Sequence, residues 1–309
     1  MAIRDTPDIR QSAGDPGQPA DWRALYPFKS HWLNFDGSRL HYLDEGSATN
    51  DQTLLFVHGN PTWSFHWRRL IARLRGEYRC VAMDHLGCGL SDLQSTRLRL
   101  SDHIANLSRL IESLNLQRVT LVAQDWGGAI GLGALLAQRE RFERIVLFNT
   151  GAFRPWFLPW RIRVCRAPIL GRLAVQGANA FSRAALIMTL GRRHRLDPAV
   201  AAGYLAPYDS WSRRAAVYQF VEDIPLSASH PTWHTIGAIE DRLSELTDVP
   251  ALLVWGERDW CFTTECLDRF AAAWPQAEIH RLPDVGHWVV EDAPDDAEKL
   301  IAEFLERTN

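Results

Sequence analysis

The sequence predicts an α/β fold: a mostly parallel, eight-stranded sheet with flanking helices and a helical insertion. Three observations carry that expectation. Short apolar runs of strand type recur along the chain, segments of helical spacing alternate with them, and the rhythm stops from residue 150 to about 227. Continuous apolar runs bounded by turn signals suit parallel strands covered on both faces, and their alternation with helices implies crossover connections.

The β-rich series starts after Lys29, and residues 40–44 (LHYLD) follow a turn at Asp36-Gly37. Residues 53–57 (TLLFV), 80–83 (CVAM), 119–123 (VTLVA) and 145–148 (IVLF) continue it, followed by 251–255 (ALLVW) and 279–282. Residues 65–74, 104–114 and 129–138 show helical spacing between them. Residues 151–227 read as successive helices with Pro and Gly breaks, a cap inserted between the sixth and seventh strands. The core is then 26–150 and 228–309, preceded by a flexible tail over residues 1–25 whose first 20 residues are polar and rich in Asp, Pro, Gly and Gln.

Composition bounds the function. The chain has 309 residues, 46% hydrophobic and 23% charged, enough for a large core, and its net charge of −3 gives no reason to expect nucleic acid. Five cysteines, odd in number and without a CxxC pair, argue against a disulfide framework or zinc site. The most apolar long window, 119–137, contains Gln124 and Asp125 and is a poor membrane span. A cytoplasmic protein is expected, and with no metal-ligand spacing or nucleotide motif no cofactor is implied. Within the cap, residues 151–195 hold nine arginines and no acidic residue, in a chain with only two lysines. They read as a solvated basic face, in preference to a docking surface for an acidic partner or anionic lipid aided by Trp156, Phe157 and Trp160.

The strongest local signal is VTLVAQDWGG, residues 119–128. A buried strand runs through a sharp turn into a helix of small residues, the shape of a nucleophile elbow. Ala123 and Gly127 take the small positions around the turn, and Asp125 stands where such elbows carry serine. Asp125 as a mere helix N-cap is the competing reading, but it leaves the flanking small residues unexplained. A carboxylate is ionised at neutral pH and attacks without a base. It can displace a leaving group from sp³ carbon to give an alkyl-enzyme ester, whose hydrolysis then needs an activated water.

His287, in DVGHW after the last predicted strand, is the candidate base, and nucleophile–acid–histidine is the chain order of α/β-hydrolases. Asp259 follows the strand 251–255 and its Gly256 turn, placed to orient the imidazole and stabilise its cation. Glu257 and Asp241 are rivals for that acid, and Asn149, at the end of the sixth strand, cannot ionise. In HGNP, residues 58–61, Asn60 offers an amide donor where this fold builds an oxyanion hole, and Trp126 offers an indole N–H beside the nucleophile. Losing one such donor costs about 3–4 kcal/mol of transition-state stabilisation. His58 reads as a brace for its loop, and DHLGCGLSD (84–92) as a tight structural loop, since it lacks the Lys-Ser/Thr ending of a phosphate loop.

HGNPTWSFHWRRL, DHLGCGLSD, VAQDWGG, WGERD and GHWVVEDAP occur in the order of the landmarks of the haloalkane dehalogenase family, which the chain resembles from about residue 25 to 305. The set Asn60, Trp126, Asp125, Asp259 and His287 is similar to that of its third subfamily. LYPFKSHWL, LPWRIRVCRAPILGRL and GYLAPYDSWSRRAAVYQFVEDIPL look most like the branch of β-lactone decarboxylases from bacterial olefin biosynthesis. The resemblance implies a hydrophobic small-molecule substrate and decarboxylation of long-chain cis-β-lactones (cis-3-alkyl-4-alkyloxetan-2-ones) to cis-olefins, with hydrolysis of 1-haloalkanes as the alternative. It also implies self-assembly or a complex with other olefin-pathway enzymes. Two positions depart from the branch: Gln124 stands where many decarboxylase-like sequences have His, as in some true dehalogenases, and Glu257-Arg258 replaces a Met-Lys pair. Two further readings are an epoxide hydrolase, which needs cap tyrosines such as Tyr204, Tyr208 or Tyr218, and a non-catalytic ligand-binding protein on the same fold.

Overall fold

The computed structural model describes residues 21–47 and 52–308. Eight strands form one sheet in the order β1-β2-β4-β3-β5-β6-β7-β8: β1 (Ser30–Phe35), β2 (Ser38–Glu45), β3 (Thr53–Val57), β4 (Arg79–Met83), β5 (Val119–Asp125), β6 (Phe142–Thr150), β7 (Ala251–Gly256) and β8 (Glu278–Leu282). β2 runs antiparallel to both its neighbours, and β4, β3, β5, β6, β7 and β8 are mutually parallel. The predicted runs lie inside these strands. β3, β5 and β7 are buried at every position, as two-sided covering by helices requires, whereas β8 at the edge alternates between half-buried and exposed.

The predicted helices are longer or shifted at their starts. Residues 64–67 form a 3₁₀ turn before α1 (Arg68–Leu74), while α2 (Leu100–Ser113) and α3 (Trp126–Ala137) begin several residues early. Polar starts such as Ser101 and Asp102 hide the first turn of α2 from an apolar count, and Trp126 begins α3 directly from the elbow. β6 gives way to α4 (Trp160–Cys165), α5 (Leu170–Arg172), a π turn over 173–177, α6 (Ala180–Met188), α7 (Pro198–Leu205) and α8 (Ala215–Asp223). α9 (Pro231–Glu240), α10 (Thr264–Ala273), α11 (Val289–Asp292) and α12 (Pro294–Arg307) complete the described chain.

The expected tail to residue 25 needs one correction. Residues 1–20 lie outside the described residues, but Trp22–Leu25 forms a 3₁₀ turn capped by Asp21, and the Trp22 ring meets Trp63 edge-on at 5.6 Å. Two large apolar side chains, Trp22 and Leu25, pack against the core there, and their burial outweighs the polar composition just before them.

The connections leaving β3 and β5 diverge, one toward β4 and the other toward β6. Adjacent parallel strands whose crossovers part in this way leave a crevice beyond their carboxyl ends. Asn60 follows β3 and Asp125 ends β5, so both stand at that crevice.

Candidate active site

Asp125 has φ 55° and ψ −131° and makes no side-chain capping bond to α3. The N-cap reading therefore does not describe it. A non-glycine residue held in this region costs about 1–3 kcal/mol and persists only where its surroundings fix it. They do so on three sides. Gly127 is pressed so close to β3 that a Cβ there would stand 2.1 Å from the Val57 carbonyl oxygen. Thr150 donates its hydroxyl to the Asp125 carbonyl, and the backbone N–H of Asn60 donates to Asp125 Oδ1 at 2.7 Å.

His287 and Asp259 meet Asp125 from the other side. His287 Nδ1 lies 2.6 Å from Asp259 Oδ2, and Nε2 lies 3.5 Å from Asp125 Oδ2. Burial by itself lowers the His287 pKa, but the two carboxylates, Asp259 foremost, outweigh it and raise it to about 10. Phe262 stacks on the imidazole at 5.6 Å and 18°. Asp259 is anchored in turn: the Cys261 N–H donates to Oδ1 at 2.7 Å and Asn149 Nδ2 donates to Oδ2 at 3.0 Å. Asn149 also exchanges hydrogen bonds with the Gly256 main chain. The rivals are engaged elsewhere, Asp241 with Arg154 and Glu257 with Arg281.

Asp125, Trp126, Asn60, Asp259 and His287 all line one cavity of about 460 Å³, whose other walls are mainly apolar residues of 151–188. The Trp126 indole N–H has no protein acceptor among the described residues, and its ring rests on Phe220 at 5.5 Å. Asn60 is used differently from the expectation. Its side-chain amide donates across to the Val217 carbonyl on α8 at 3.1 Å, so it ties the core to the insertion as well as facing the cavity. His58 is the brace it was read to be: Nδ1 donates to the Gly59 carbonyl at 2.8 Å and Nε2 accepts the His85 N–H at 3.0 Å. Asp84 likewise accepts the N–H groups of Ser64 and Leu90 and pairs with His41, binding the 84–92 loop beneath the site.

Three features escaped the sequence reading: the anchoring of Asp259 by Asn149, the Asn60–Val217 bond, and the contact of Gln124 with His287. Gln124 Nε2 lies 2.7 Å from His287 Nε2 and 3.2 Å from its carbonyl oxygen. Strand alternation sends neighbouring side chains to opposite faces. A register shift between Gln124 and Asp125, with the positive φ of Asp125, brings both to the same imidazole. The only signal in the sequence was the unusual residue before the nucleophile.

None of the three cap tyrosines lines the cavity. Tyr204 donates to buried Glu291 at 2.6 Å and Tyr208 to the Thr62 carbonyl at 3.1 Å, while Tyr218 borders a separate cleft. The epoxide hydrolase reading, which needs phenol donors at the reacting oxygen, is thereby corrected.

A strained aspartate at a strand-to-helix elbow, followed in sequence by an acid after β7 and a histidine after β8, defines the class of this protein as an α/β hydrolase. Residues 52–294 match the family described as alpha/beta hydrolase fold, and the chain belongs to that family. It is 37% identical over 293 residues to the cis-3-alkyl-4-alkyloxetan-2-one decarboxylase of Shewanella oneidensis, covering 92% of this chain and 90% of that one. With haloalkane dehalogenase 2 of Mycobacterium tuberculosis it shares 32% over 292 residues, 92% and 96% of the two chains. The crystal structure of the haloalkane dehalogenase DatA from Agrobacterium tumefaciens is similar with a TM-score of 0.81 at 26% identity, over 91% of this chain and 97% of that one.

Proposed function

We propose that this protein is a β-lactone decarboxylase that converts long-chain cis-3-alkyl-4-alkyloxetan-2-ones to cis-olefins through an alkyl ester on Asp125. The observation that carries the reading is the placement of the Asp125 carboxylate, held by the Asn60 N–H, at an apolar cavity with His287 behind it. The greater identity to the Shewanella decarboxylase than to the dehalogenase supports the substrate class.

In this reaction an Asp125 oxygen attacks the ring carbon that bears the lactone oxygen, with inversion. The C–O bond breaks and its electrons leave with the carboxylate, which faces the Trp126 and Asn60 donors. Cleavage of the bond to that carboxylate then releases CO₂, its electrons form the alkene, and Asp125 departs anti with the ester electrons. Inversion followed by anti elimination carries the cis geometry through, and no water is consumed. The Asp259 and Asp125 carboxylates favour the protonated imidazole, and in this scheme the His287 cation stabilises Asp125 as it leaves as an anion, with Asp259 balancing that charge.

Gln124 favours a second reading, hydrolysis of 1-haloalkanes. Gln124 Nε2 can donate to His287 Nε2 only while that nitrogen is bare, so this contact favours the neutral imidazole whenever the charge on Asp125 is removed. Esterification neutralises Asp125 and removes one of the charges that raise the His287 pKa. The freed Nε2 then becomes a base for water, and the products are alcohol and halide. The two reactions separate in one experiment: purified protein is given a long-chain cis-β-lactone or a 1-bromo- or 1-iodoalkane. Alkene is followed by gas chromatography and halide by ion chromatography. We expect fast alkene and slow halide release; fast halide release without alkene reverses the assignment. We place the protein in the cytoplasm, as an enzyme of small hydrophobic substrates.

A further inference from the structure

The cap exposes apolar side chains that the core does not use. Trp160 is 68% exposed, Val164 60%, Ile169 76%, Leu170 72% and Leu173 51%, all within one stretch of chain. The stretch is compact, because Gly171 packs on the preceding turn so closely that a Cβ there would meet the Cys165 carbonyl oxygen at 2.2 Å. Ile169, a β-branched residue, has φ 63°, a conformation rarely tolerated by that type, and it is the most exposed of the group.

The stretch of chain that carries this patch bears charge of one sign, although Glu222 of α8 borders the same cleft as Ile169. Residues 151–195 carry nine arginines and no acid, although the whole chain is net negative. Arg154 and Arg192 are neutralised by carboxylates of the core. Arg163, Arg183, Arg193 and Arg195 are exposed, and their guanidinium groups form no ion pair among the described residues, although the Arg193 backbone N–H donates to Asp292. Arg161 lies between the rings of Trp160 and Trp260.

The patch also borders the entrance of the active-site cavity. Trp156, Phe157, Trp160 and Val164 are exposed and at the same time line that cavity. An apolar surface bearing tryptophan, carried on a stretch with unpaired guanidinium groups and continuous with an apolar cavity, matches an interface of hydrocarbon and anionic headgroups. A second copy bound through the same face would set arginine against arginine, which opposes a symmetric pair.

We propose that this face of the cap docks peripherally on an anionic lipid surface, so that a water-insoluble substrate passes from the bilayer into the cavity. The proposal goes beyond the solvated-face reading of the arginines, which does not address the exposed apolar residues. The substrate part of the inference rests on the proposed function; the docking part stands on the surface alone.

Co-sedimentation with vesicles of phosphatidylcholine mixed with phosphatidylglycerol, and of phosphatidylcholine alone, tests it with the full chain. We expect about tenfold stronger partitioning to the anionic vesicles, weakened by salt. The double variant Ile169→Ser/Leu170→Ser loses that binding, and Arg163→Glu/Arg183→Glu loses the preference for anionic lipid. Neither pair lines the active-site cavity, and thermal melts and turnover of a short, dispersed substrate confirm that the variants are folded. Equal partitioning to both vesicles, or binding untouched by the variants, overturns the proposal. So does sedimentation velocity showing that the serine variant abolishes self-association while vesicles bind neither protein, which makes the face a contact between copies. A wild type that binds anionic vesicles but releases neither alkene nor halide leaves docking intact and rejects only the proposed reaction.

Discussion

The backbone N–H of Asn60 donates to Oδ1 of Asp125 at 2.7 Å across a separation of 65 residues, so the loop after β3 holds the Asp125 carboxylate through its main chain. The side chain of Asn60 has a separate place, donating to the Val217 carbonyl while facing the cavity, and the two contributions can be separated by mutation. Asn60→Ala keeps the N–H and loses the amide. We expect kcat to fall about 100-fold, roughly the effect of deleting one oxyanion-hole donor. The Asp125 ester still forms, as intact-mass spectrometry of a quenched reaction will show.

Gly59 leaves no room for a side chain beside the Asp125 carboxylate. A Cβ there would stand 2.2 Å from Asp125 Oδ1. Gly59→Ala must displace the carboxylate or the loop, and a misplacement of about 1 Å costs on the order of 100-fold in rate. Steady-state kinetics at unchanged thermal stability is the measurement; wild-type activity would show that the loop yields.

Asp125→Asn separates an enzyme from a ligand-binding relative. Its amide is a poor nucleophile, and we expect turnover to drop at least about 1000-fold while a non-reactive long-chain ligand still binds by calorimetry. Retained turnover would remove Asp125 from the mechanism.

His287→Ala distinguishes the fates of the ester. With a 1-iodoalkane the variant has no base for water and is expected to accumulate alkyl-enzyme, seen as a mass increase. With a cis-β-lactone, alkene release should slow by about 100-fold, the cost of losing one stabilising group, with no accumulation of alkyl-enzyme, since elimination needs no activated water. Equal and complete loss of both activities contradicts the elimination step.

The same histidine makes a prediction about stability. Buried His287 would titrate below its ordinary range but for Asp259 and Asp125, which raise its pKa to about 10, above the unfolded value of 6.5. Its cation stabilises the fold fully below about pH 6.5, and the contribution is lost as the pH rises through the folded pKa. The slope is at most about 1.4 kcal/mol per pH unit. Relative to His287→Gln, the wild type should lose Tm between about pH 7 and 10 in scanning calorimetry. Parallel curves would mean that His287 is neutral in the folded protein.

Contiguous or ordered features were legible in the sequence alone. Strand-type runs lie within β2 to β8, the small residues around Asp125 mark the elbow, and the order Asp125, Asp259, His287 follows from which strand each residue succeeds. These depend on periodicity and local sterics, which neighbouring residues encode directly. Other features arise from contacts between distant segments. Asn149 reaches Asp259 across 110 positions, Gln124 reaches His287 across 163, and Asn60 reaches Val217 across 157. No local pattern distinguishes these polar side chains from surface ones. The cap shows the same division: its helices and its arginines were readable, but that Tyr204, Tyr208 and Tyr218 all stay out of the cavity, and which of its apolar residues stay exposed, depended on how short helices pack over the core. Helical and charged character is inscribed residue by residue, whereas exposure and partnership are properties of the assembled chain.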